Sequence, residues 1–132
     1  MTTVLRINGN TKAVREFLAS THWRPVATYF RGQPVRPSST RKSKVSGFNL
    51  VVSKAGRLSL RAQVRSVERF IQKERRELRR LNKLGLHGVM DFAVASPPEA
   101  VFSFFGFPSS LLVMLAPMSL GLEVSYYGVE QR

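Results

Sequence analysis

Apolar and polar positions follow two different periods along this chain. In "VLRIN" (Val4 to Asn8) every second residue is apolar, as in a strand with one buried face. Asn10 or Thr11 then caps a helix that aligns Val14, Phe17 and Leu18. "PVATYFRG" predicts a second strand ending at Gly32. The next stretch, "QPVRPSSTRKSKVS", mixes prolines, serines and basic residues and predicts a long exposed loop or ragged hairpin. Gly47 to Ser53, "GFNLVVS", is the third strand, and "KAG" turns the chain toward a long helix.

Ser59 is the expected N-cap of that helix, which runs to about Leu84 and stops at Gly85. Some 25 residues span roughly 37 Å. Leu60, Val64, Val67, Ile71, Leu78 and Leu81 form one apolar stripe, widened by Phe70. Glu74 falls on the same side. The opposite face carries Arg61, Arg65, Arg69, Lys73, Arg76, Arg80 and Lys83 in a continuous row facing solvent. Beyond it, "GVMDFAVAS" predicts a fourth strand, and "AVFSFF" a short strand or part of a loop. Pro108 suits the first turn of a helix through "SSLLVMLA" that Pro117 ends. "LGLEVSYYG" closes the pattern as a strand.

The order β-α-β-β-α-β followed by α-β begins as a split β-α-β (ferredoxin-like) unit with a C-terminal α-β addition. The expected fold class is α+β, with a mostly antiparallel or mixed sheet and the helices packed on one face. Its 132 residues form a single domain, 1–132, and 43% hydrophobic content supports a packed core.

Charge changes the picture most. The chain has 21 Lys and Arg against 8 Asp and Glu, a net of +13. Residues 1–87 hold 20 of the basic and 4 of the acidic residues, whereas residues 88–132 are net −3. This asymmetry points to an acidic macromolecule as partner, whether nucleic acid or acidic protein, with an anionic membrane surface as a third reading. Arginines decorating an ordinary solvated helix would produce the same run. Glu68, Glu74 and Glu77 stand three or four positions from several of them, where they can pair.

Catalytic chemistry finds little support. The chain has no cysteine, which removes disulfides, thiol nucleophiles and Cys-based metal sites. His22 and His87 stand apart and next to no obvious partner. Asp91 and Glu99 are simpler as a strand residue and a turn residue than as an acid pair. No phosphate-binding loop, metalloprotease or nucleophile-elbow motif occurs. The expectation is a protein that is not an enzyme and uses neither cofactor nor metal. "KVSGFNLVVS" offers Gly47 and Phe48 in the manner of an RNA-recognition strand, but Leu50 and Ser53 stand where further stacking aromatics belong. Phe48 is therefore expected in the sheet or core.

Residues 100–122 carry no charge, long enough to raise a transmembrane segment. Gly106, Pro108, Pro117, Gly121 and four serines interrupt them, so a strand–helix–strand core segment or an exposed apolar contact surface is expected instead. The first ten residues lack a basic patch followed by an apolar run, so the expected location is the cytoplasm.

"RINGN", "SGFNLVVS", "FIQKERRELRRL", "VMDFAV" and "LGLEVSYYG" together resemble a family of small uncharacterised bacterial proteins, over most of the chain. The resemblance implies a cytoplasmic α+β domain of unknown function and assigns no site residues. The combined expectation is a non-enzymatic binding module. Arg61, Arg65, Arg69, Lys73, Arg76 and Arg80 would contact nucleic-acid phosphates, with Arg41, Lys42 and Lys44 of the loop as auxiliary contacts. The alternative is an immunity-type or adaptor module whose arginines dock an acidic protein.

Overall fold

The computed structural model describes residues 2–129. Strand β1 (Thr3–Gly9) lies at the centre of a five-stranded open sheet because both its edges are used. Its alternating Thr3, Leu5 and Ile7 are fully buried. Helix α1 (Thr11–Ser20) starts where the Asn10 side chain accepts the Lys12 and Ala13 amides, at 2.8 and 3.3 Å. It lays Val14 and Phe17 on the sheet. The second strand is shorter than its pattern suggested: β2 covers only Ala27–Tyr29. Pro25 lacks an amide for the ladder, and Gly32 turns at φ +83°, so pairing is confined between them.

Strand β3 (Ser46–Ser53) joins β2 to β1, antiparallel to both. Helices α2 (Leu60–Lys73) and α3 (Arg75–Lys83) follow. The single long helix expected from the sequence is thus interrupted at Glu74, whose backbone sits at φ −104° and ψ 22°. The cause is visible in the apolar stripe. Glu74 occupies its inward position, and its carboxylate turns aside to His22 Nε2 at 3.2 Å. Gly85 ends α3 as expected. At φ +74° it lets Gly85 N–H and Leu86 N–H bond back to Asn82 O and Leu81 O, at 3.1 and 3.0 Å.

Strand β4 (His87–Ser96) pairs antiparallel with the other edge of β1. Gly88 is needed there, because a Cβ would fall 1.8 Å from Arg6 O. After an extended connection, α4 (Ser109–Leu115) and a single 3-10 turn (Ala116–Met118) lead to β5 (Leu120–Val129). Pro108 stands just before α4 rather than within its first turn, and Pro117 lies inside the 3-10 turn. Strand β5 runs parallel to β4 at the sheet edge.

The resulting order, β2-β3-β1-β4-β5, is the split β-α-β arrangement with one strand added, an α+β fold. Leu5, Ile7, Phe48, Leu50, Met90, Phe92 and Val94 face the helices and form one core with them. Phe48 belongs to that core, stacked on Phe17 with centroids 5.6 Å apart. It is not a base-stacking surface. On the other face, buried Asp91 accepts Arg6 Nε at 3.1 Å and the Ser125 hydroxyl at 2.8 and 3.0 Å.

Candidate nucleic-acid interface

Helix α2 carries a row of cations along its outer side, with Glu68 beside Arg61 and Arg65, for a simple reason. Val64, Val67 and Ile71 turn inward, so positions offset by half a helical turn point to water. Arg61, Arg65, Arg69 and Lys73 take those positions, and all four are exposed. Twelve residues at 1.5 Å each place Arg61 and Lys73 about 18 Å apart along the axis. Arg76 continues the exposed row past the break at Glu74.

The acidic residues on the two helices do not neutralise the row. Glu68 accepts the Ser110 hydroxyl of α4 at 3.2 Å. Glu74 meets His22, and Glu77 accepts Thr21 of the α1 end and Arg80. Among the described residues, no carboxylate lies within ion-pair distance of Arg61, Arg65, Arg69, Lys73 or Arg76. Arg69 is steadied by Ser66 Oγ at 3.3 Å, which leaves its charge uncompensated.

Arg80 departs from the expected row. Its guanidinium lies 4.7 Å over the Phe17 ring and bonds to Phe17 O at 3.3 Å, to Ser20 Oγ and to Glu77. Phe17 O already accepts the Thr21 N–H at 3.1 Å, so the cation from α3 adds a second bond at the negative end of α1. Arg80 therefore tethers two helices rather than facing solvent.

The loop cations form a patch of their own. Residues 30–45 hang from the β2 side of the sheet, folded by the Pro34–Lys42 bridge and by Val35 N–H on Arg41 O at 2.8 Å. Lys44 lines a cleft with Arg31 and Asn10 at the start of α1. The Arg61 end of the helix row instead adjoins Pro108 and Ser110, and α4 packs between α2 and β5. Arg41, Lys42 and Lys44 thus flank the opposite edge of the sheet.

The uncharged stretch divides into inner and outer residues. Leu111, Leu115 and Leu120 are buried, and Phe107 meets Phe92 edge-on at 5.0 Å. Phe105 meets Tyr126 in the same way at 5.9 Å. Val101, Phe102 and Phe104 point outward, the last two 73% and 88% exposed. The "AVFSFF" stretch is a loop, not a strand. Phe104 forms one wall of a cleft of about 530 Å³ against α2, with Leu60 and Val64 as floor and Arg61, Arg65 and Glu68 along the side. Sequence reading missed Phe104 as an individual residue. The signal for it was the absence of charge over residues 100–122, which marked a surface or core without distinguishing them.

Chemistry of other kinds has few groups to use. Among the described residues, no three His, Asp or Glu side chains gather as metal ligands. Asp91 is committed to Arg6 and Ser125. No helix of the described residues is long and apolar enough to cross a membrane.

Comparison with protein-family models, with curated proteins and with solved structures gave no significant match to this chain.

Proposed function

We propose that this protein is a non-enzymatic binding module that grips nucleic-acid phosphates through Arg61, Arg65, Arg69, Lys73 and Arg76. The observation that carries this reading is the uncompensated row. Five cations stand on one side of α2 and α3, while the three nearby carboxylates bond elsewhere. Solvated helices that merely carry charge gain from internal pairing, and among the described residues these two show it only at Arg80–Glu77 in α3. The row from Arg61 to Lys73 extends about 18 Å, long enough to meet several neighbouring phosphates. Contacts of that kind position a nucleic acid without reading its sequence. The cytoplasm, where such partners are plentiful, is the location that fits this role.

The test is binding to mixed single- and double-stranded oligonucleotides across a salt series. Affinity should fall steeply with salt. An Arg65/Arg69/Arg76→Ala variant should flatten the slope of log K against log salt by roughly 2 to 3 units. Absence of binding at low salt overturns the reading.

A second reading, docking of an acidic protein, is favoured by one observation. Exposed Val101, Phe102, Leu112 and Val113 lie on the same uncharged segment whose Phe104 borders the basic row, and apolar anchors beside arginines suit a protein interface. Salt-dependent capture of an acidic protein, without oligonucleotide binding, selects it.

A further inference from the structure

We infer that the cleft between α2 and the Phe104 segment seats an unpaired nucleotide, its base against the Phe104 ring and its phosphate at Arg61 and Arg65. This rests on the phosphate-binding reading and names the form of nucleic acid bound. Three features carry it. First, Phe104 is held out in water at 88% exposure although neighbouring Phe105 and Phe107 are tucked into the fold. It is braced by Phe102, with centroids 5.3 Å apart and planes at 75°. A ring left exposed at the wall of a concavity is available for stacking.

Second, the cations stand beside that ring. Arg61 and Arg65 are one helical turn apart on the same cleft, with no carboxylate partner among the described residues. Stacking and phosphate neutralisation at one place are the two elements by which proteins hold single strands. In a duplex the bases are already stacked on one another and cannot reach such a wall. The row continues to Arg69 and Lys73, where the next phosphates of the strand would follow.

Third, the cleft contains hydrogen-bonding groups, which separate a nucleobase from a lipid. The Glu68 carboxylate faces it, and the Ser110 hydroxyl that bonds to it lies at the rim. A base offers amino donors that a carboxylate accepts, as cytosine does through its N4 amino group. A lipid chain offers none and would desolvate the carboxylate without return. The volume of about 530 Å³ lies within the roughly 300–1,000 Å³ of pockets that hold small ligands.

The experiment compares oligo-dC of twelve nucleotides with a twelve-base-pair duplex, by fluorescence anisotropy across a salt series that starts at low salt. Wild type, Phe104→Ala, Phe104→Trp and Arg65/Arg69/Arg76→Ala are measured, with the emission of buried Trp23 checking that Phe104→Ala and the arginine variant remain folded. Phe104→Ala should weaken single-strand binding about 10-fold, leave duplex binding unchanged and keep the salt slope. Phe104→Trp should retain affinity, with its indole emission quenched by the oligonucleotide. If Phe104→Ala binds the single strand like wild type while the arginine variant is weakened, the nucleotide seat is overturned and the phosphate row stands. If no oligonucleotide binds at all, both fall. Binding to phosphatidylserine vesicles, lost in Phe104→Ala and without oligonucleotide binding, overturns the seat in favour of a membrane surface.

Discussion

Gln63 is fully buried on the inner face of α2, and both ends of its amide are used. Its oxygen accepts the Thr3 hydroxyl at 2.7 Å, and its nitrogen donates to Ala93 O at 2.9 Å and to Gly56 O at 3.2 Å. One side chain thereby joins the helix to β1, to β4 and to the turn before α2. Gln63→Leu keeps the volume but strands three polar groups, and should lower unfolding free energy by about 3 kcal/mol. A urea titration followed by the single tryptophan, Trp23, measures it. The apolar pattern could not show this residue, because a polar side chain at a buried position is indistinguishable in sequence from one at the surface. Val64, Val67 and Ile71 beside it were legible for the opposite reason. Tyr29 supplies a second residue-scale prediction. Burial raises its phenol above the ordinary value of 10.0, against a smaller lowering by Arg6. A raised folded value means that the contribution to stability is complete below pH 10 and lost as pH climbs through the folded value. The difference in stability between wild type and Tyr29→Phe should therefore be flat to pH 10 and then shift against wild type.

Among elements, the junction of α2 and α3 follows from one misfit in an otherwise regular stripe. Glu74 keeps the inward position between Ile71 and Leu78, with 13% of its side chain exposed, and the helix breaks around it. Glu74→Leu should complete the stripe, join the two helices and raise stability by about 1 kcal/mol. A lower urea midpoint would instead mean that the contact with His22 outweighs the burial of a leucine. The misfit was legible in the sequence. Its outcome was not, because a glutamate at such a place is accommodated equally by a rotated helix, a bent one or a broken one, and the choice depends on where His22 lies. Arg80 shows the same limit. Spacing put it on the outer face with Arg76, but α1 packs against that side of α3 and offers its terminal carbonyls. The succession of elements, in contrast, followed from the periods and the turn residues, and the structure adds β5 beside β4.

At the scale of the whole molecule, charge and apolar surface divide the work. The net charge of +13 resists compaction, since like charges are brought together on folding. Moderate salt screens that repulsion, so the melting temperature should rise between about 10 and 200 mM NaCl, the range over which oligonucleotide affinity falls. Opposite signs in one titration, read by calorimetry and by anisotropy, distinguish repulsion within the protein from attraction to its ligand. The basic row was legible because helical spacing alone places it. Phe104 was not, because exposure of a single ring within an apolar run is decided by which neighbours the core has room for. Strand β1 has a further consequence, for the way the chain comes to fold. Its two neighbours are β3 and β4, and the Arg6–Asp91 pair closes over 85 residues. At about 5–20 residues per second, the ribosome needs roughly 4 to 17 s to pass from the end of β1 to the end of β4. For that interval the central strand of the sheet has, at most, one edge satisfied. A nascent chain halted before His87 has emerged from the ribosome should therefore expose β1 to proteases, and one with Ser96 clear of the ribosome should shield it.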